Sequence, residues 1–333
     1  MLLRTTADLP GTGGTFRGAT AEEVLAKQPA DTGDFWWVQV RKDGLSGKQA
    51  REALARSVQV SPELVGDAGN RDRDVVFTQW FSLPVDAVDH VGPLRRAGAH
   101  GKLQVLKLTR SHKPITPETV GRIRWRLRIK GGNKNDGYQK AKAILDRLRV
   151  QGVPNFVDPE RFGPEGNLAR WGRMILAGER LPPTVARNVE IGRSKRAAQL
   201  WCFNHYLTQR TQDGLLGTCL AGDLMLSRAG AYLLAEDPVH MQKRMDSWEV
   251  IPQGPVFGAG LEESTGVARE REAALLASLG LETASFAGLP GERRSIRVQP
   301  QQVLLDLDGE DLLVACDLPA EAYVAVLVAE IIG

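Results

Sequence analysis

Residues 121–130 read Gly-Arg-Ile-Arg-Trp-Arg-Leu-Arg-Ile-Lys, and no other stretch of the chain limits its fold so sharply. A period of two puts Arg122, Arg124, Arg126, Arg128 and Lys130 on one side of an extended backbone and Ile123, Trp125, Leu127 and Ile129 on the other. Wound as a helix, the same arginines would point all round the axis, so the segment is a strand with one face on a core and one cationic face. Such a face has two readings: arginine and lysine protect an edge strand from mispairing, and they also suit contact with an RNA backbone. Overall charge does not decide, since 43 Lys and Arg against 40 Asp and Glu leave a net charge of only +3. A basic surface has to come from patterning.

Around this strand the pattern alternates between types. Residues 35–40 (FWWVQV) and 74–83 (DVVFTQWFSL) are β-branched and aromatic, hence strands. Ser46 is available to cap a helix over 48–58, and Gly131-Gly132-Asn133 closes the arginine strand before an amphipathic helix over 138–150. From about 152 to 281 the segments read mostly as helices, over 168–176, 195–209, 237–247 and 268–279. Alternation returns at 303–307 and 312–318, followed by a last helix over 320–332. A chain of 333 residues, 42% apolar, has room for two domains. The expectation is an α+β protein, a β-rich domain built from both chain ends and interrupted by a mainly helical or mixed insertion.

The densest chemistry lies in 66–74, Gly-Asp-Ala-Gly-Asn-Arg-Asp-Arg-Asp, which packs Asp67, Asp72 and Asp74 with Arg71 and Arg73. Two flanking guanidiniums keep Asp72 ionised, which suits a nucleophile or electrostatic stabiliser better than a general acid. A solvated charged turn would read the same way, so composition leaves both open. Cys202, Cys219 and Cys316 form no CxxC pair, which argues against disulfides and structural zinc and for a reducing compartment. The five histidines have no ligand spacing, and Gly11 to Gly14 lacks the sequel of a phosphate loop. The N-terminus turns polar after three residues and the apolar run 323–332 is short and holds Glu330, so neither a signal peptide nor a membrane span is expected.

Three separated motifs carry a resemblance. Residues 68–80, AGNRDRDVVFTQW, are followed by GVPNFVDPERFG at 152–163 and RAAQLWCFN at 196–204. In this order and spacing they resemble the TruD family of tRNA pseudouridine synthases. Weaker echoes are Gly222-Asp223, PQGPVFG at 252–258, ARERE at 268–272 and DLPAEAY at 317–323, so the likeness runs along nearly the whole chain. It implies a pseudouridine synthase catalytic domain, a mixed β-sheet flanked by helices, in 1–151 plus 286–333, with a TruD-type insertion in 152–285.

By position Asp72 matches the family's catalytic aspartate. In such enzymes the target uridine leaves the stack, the carboxylate attacks the nucleoside, the bond to N1 breaks, and the base rotates and rejoins the sugar through C5. No cofactor or metal is implied. The resemblance assigns RNA contact to Arg17, Asn70, Arg71, Arg73, Gln79, Arg161 and Phe162, with Phe162 equally open to a core role, and the arginine stripe adds Arg122 and Arg124. The family's base-stacking phenylalanine falls at Ile123, or at Trp125 if the register differs by two, and its asparagine falls at Gly121. Arg71 stands for the family's lysine, a fork in place of a point charge. The implied function is a cytoplasmic, monomeric enzyme acting on a uridine of tRNA, position 13 in the family. The competing reading is an RNA-binding or chaperone protein that keeps the scaffold without the catalysis.

Overall fold

The computed structural model describes residues 19–69, 74–88, 91–97 and 102–332. Their contacts divide into two compact units, one of residues 19–138 with Gln301–Glu321 and the other of Gln139–Pro300 with residues 322–332.

In chain order the elements are β1 (Thr20–Leu25), β2 (Phe35–Lys42), α1 (Gly47–Ser57), β3 (Gly66–Asp67), β4 (Val76–Pro84), α2 (Val91–Arg95), β5 (Leu103–Ser111) and β6 (Val120–Ile129). There follow α3 (Gly137–Gln151), β7 (Val153–Pro154), α4 (Asn167–Leu176), α5 (Pro183–Ala186), α6 (Ile191–Gln212), β8 (Leu224–Ser227), β9 (Tyr232–Leu234), α7 (Pro238–Asp246) and β10 (Val250–Val256). The chain closes with α8 (Gly266–Ser278), β11 (Glu292–Ser295), β12 (Arg297–Val298), β13 (Gln301–Asp308), β14 (Asp311–Pro319) and α9 (Val324–Ile332).

The first unit is a mixed sheet in the order β13-β14-β6-β1-β4-β2-β5, with β3 added to β4. β1 and β4 run parallel, and the other pairings are antiparallel. β6 alternates as its sequence demands, with Ile123, Trp125 and Leu127 buried between exposed or half-buried arginines. The pairing register extends this division across the sheet. Lys42, Phe77, Ala21, Trp125 and Cys316 are successive partners and all are buried, so they form one row of the inner face. Farther along that face, Val38, Val40, Phe81 and Leu83 pack on Ala50 and Leu54 of α1. α1 starts at a reciprocal capping box, Ser46 with Gln49, a device that adds about 1 kcal/mol of helix stability.

The second unit is mixed, in keeping with a mainly helical or mixed insertion, although its strands were not read from the sequence. Besides α4 to α8 it holds a four-stranded antiparallel sheet in the order β11-β10-β8-β9. β8 and β9 are too short to show a period, and β10 (VIPQGPV) carries two prolines and a glycine while burying nearly every residue. Proline ordinarily demotes a run from strand to loop, and a strand buried on both faces has no alternation to read.

Two of the motifs meet inside this unit. Asn204 lies in the middle of α6, not at its end, and its carboxamide accepts from the Val157 N–H at 2.8 Å and donates to the Val157 carbonyl at 2.8 Å. Asn155 donates to the Ser295 carbonyl and accepts from Arg294. Both asparagines are buried, so these bonds satisfy groups that would otherwise be costly to desolvate. The spacing of the GVPNF and FN motifs is therefore explained by packing.

Candidate functional site

The face of the large sheet opposite the core is lined by polar side chains brought together from five strands. Arg41, Thr78, Glu22, Arg124 and Asp317 are successive cross-strand partners through β2, β4, β1, β6 and β14. Direct partners share a face, so these five form one row. Val76, Thr20, Arg126 and Ala315 form the next, and Lys107 joins the same face opposite Gln39.

Much of the positive charge here is already engaged. The Arg124 guanidinium binds both oxygens of Asp317, at 2.9 and 3.0 Å, and this hydrogen bonding holds its pKa above the usual value against partial burial. Arg122 donates to the Asp317 carbonyl at 2.9 Å, and burial pushes its pKa down while the charge of Asp317 opposes that. Arg128 is held between Asp308 and Asp311. Glu22 accepts from Gln39 at 3.3 Å. By contrast Arg41, Lys107 and Arg126 are exposed and make no hydrogen bond or ion pair among the described residues. Arg126 was visible as a member of the stripe. Arg41 and Lys107 were not, because only the pairing register assigns them to this face.

The residues expected at the site divide sharply. Arg122 and Arg124 lie on the open face. Ile123 and Trp125 do not: both are buried on the inner face, where Trp125 meets Phe77 edge to face with ring centroids 6.1 Å apart, so neither presents a wall to a base. Gln79 is fully buried and its Nε2 donates to the Gly69 carbonyl at 2.9 Å, which removes it from direct RNA contact. In the second unit Arg161 is exposed, while Phe162 is core at 4% exposure, which resolves its open reading toward packing. Arg17, Asn70, Arg71, Asp72 and Arg73 lie outside the described residues.

The described flanks of those residues are nonetheless informative. Sequence puts Arg17 three residues before Thr20 and Asp72 four before Val76. Thr20 and Val76 are paired, at the starts of the parallel strands β1 and β4, in the row of Arg126. The thiols offer no rival chemistry, since burial pushes Cys202 and Cys316 up to about 12 and leaves them protonated at neutral pH.

The family model described as tRNA pseudouridine synthase D (TruD) matches residues 3–181 and 196–331. A tRNA pseudouridine synthase D of Anaeromyxobacter dehalogenans is 35% identical, over 98% of this chain and 94% of its own length. That of Thermus thermophilus is 30% identical, over 98% of this chain and 90% of its own. A crystal structure of the putative tRNA pseudouridine synthase D of Methanosarcina mazei superposes with a TM-score of 0.70 over 99% of this chain and 96% of that one. At 18% identity it speaks for the fold.

Proposed function

Because the chain belongs to the tRNA pseudouridine synthase D (TruD) family, we propose that Asp72 is the nucleophile of a uridine isomerisation carried out beside the open face of the large sheet. The enzyme is a tRNA pseudouridine synthase. The observation that carries the site is the pairing of Thr20 with Val76, since Arg17 and Asp72 each precede one of them by a few residues. Three or four residues of chain reach at most about 14 Å, and this short reach from paired strand starts supports a role for the two residues at one site. The reaction moves the glycosidic bond from N1 to C5, N1 ending with the proton that C5 gives up. Atoms and electrons balance within the substrate, and the carboxylate has only to attack and leave. Asp72 ionised between Arg71 and Arg73 fits that task.

The substrate is a tRNA uridine, and the family resemblance favours position 13. We assign catalysis to residues 1–151 with 286–333, RNA support to the insertion 152–285, and a monomer in the cytoplasm. Among the described residues no helix is long and apolar enough to cross a membrane. Mapping pseudouridine on tRNA incubated with the protein tests the activity: a new modification at one position is expected, and none would refute turnover. That negative outcome, with RNA still bound, would favour the binding-only reading, which is supported by Gly121 and Ile123 standing where the family has asparagine and phenylalanine and by the burial of Ile123 and Trp125.

The three cations without a partner among the described residues give a second test. Neutralising Arg41, Lys107 and Arg126 together to glutamine should weaken tRNA binding and lower the slope of log K against log salt by roughly 2 to 3. Fluorescence titrations over a salt series read both, and an unchanged slope would turn RNA away from this face. Arg124 is unsuited to such a test, since replacing it leaves the carboxylate of Asp317, 7% exposed, without its partner.

A further inference from the structure

Two strands converge on the backbone of Gly69, the last described residue before the segment that carries Asp72, and α1 braces one of them. Its N–H donates to Asp67 Oδ1 at 2.7 Å, and its carbonyl accepts from Gln79 Nε2 at 2.9 Å. Asp67 is itself held twice, by strand pairing of β3 to Phe81 and by Arg51 of α1, whose Nη1 lies 3.3 Å from Asp67 Oδ2. Gly69 sits at φ +107°, a conformation that favours glycine, with open space where a Cβ would stand. Both backbone polar groups of one residue are thus fixed by side chains of two strands of the sheet, one of them braced in turn by α1.

The composition of this clamp is costly for folding alone. Gln79 is fully buried among aromatic and aliphatic neighbours on the inner face, and its Oε1 has no hydrogen-bond partner among the described residues. A buried carboxamide with an orphaned acceptor is a liability that leucine would remove. Gln79 therefore satisfies no packing need, and the one side-chain bond it makes among the described residues, to the Gly69 backbone, points at the loop. We infer that Gln79 and Asp67, with Arg51 behind it, are positioning residues that set the approach of the Asp72 segment to the substrate, an inference that rests on Asp72 being the nucleophile.

The test is Gln79→Leu, measured four ways. Single-turnover conversion should fall about 100-fold, as small displacements of reacting groups do, while tRNA affinity stays within about 2-fold. The melting temperature should stay level or rise, and amide hydrogen exchange over residues 66–69 should quicken. A structural residue would instead lower the melting temperature, and an RNA contact would lower affinity together with rate; either result, or an unchanged rate, overturns the inference. A second pair guards against misfolding: Asp67→Ala should repeat the loss, and Asp67→Asn, which keeps an acceptor for the Gly69 N–H, should recover most of it. If the wild type itself makes no pseudouridine, the assignment of the activity falls, and the exchange rates still report whether the clamp holds Gly69.

Discussion

Asp72→Asn is expected to abolish pseudouridine formation, a loss of roughly 10⁴-fold or more in single-turnover rate, while tRNA affinity stays level or rises slightly. The rate loss follows from the proposed chemistry: the carboxamide keeps the size of the side chain and gives up the charge that a carboxylate nucleophile needs. A factor of that size corresponds to about 5.5 kcal/mol of barrier. The affinity follows from electrostatics, because removing one negative charge from a segment that also holds Arg71 and Arg73 makes it a better neighbour for phosphate. Pseudouridine mapping and a binding titration on the same preparation read the two effects. Activity retained in Asp72→Asn would remove the nucleophile. Activity and affinity lost together would make Asp72 a binding residue.

How much of this was legible in the sequence depends on the range of the interaction. The strand character of β6 and its two faces follow from ten consecutive residues, because a period of two is a local property. The capping box of α1 and the strand nature of β2 and β4 were equally local. What faces those arginines was not. Asp317 and Asp311 reach Arg124 and Arg128 from more than 180 residues away, through the pairing of β14 with β6, and they neutralise charges that the stripe alone offers to RNA. β1 was hidden for a related reason: Glu22 and Glu23 side by side look unlike a strand, yet Glu23 turns inward and accepts from the Trp80 N–H at 2.8 Å. Resemblance carried residue identity along the chain without carrying orientation. Ile123 could be aligned with a stacking position while its strand directs it into the core.

Asp223→Asn is expected to cost 3 to 5 kcal/mol of stability, confined to the unit that contains it. Arg210 and Asp223 are paired through two bonds, at 2.6 and 3.0 Å, and are 0% and 1% exposed. The pair is the centre of a larger network. Arg210 also donates to the Thr218 carbonyl at 2.7 Å, and Asp223 accepts from the Leu220 N–H at 2.8 Å, so together they pin the turn after α6. Removing the negative partner leaves a guanidinium that cannot shed its proton in a site closed to water. Replacing both, as Arg210→Met with Asp223→Asn, removes the uncompensated charge and should recover part of the loss, although the Thr218 carbonyl then goes unpaired. Urea unfolding followed by the fluorescence of Trp201 and Trp248, which lie in the same unit as the pair, reads the change. A shift below about 1 kcal/mol would show that water reaches the site and screens the charge.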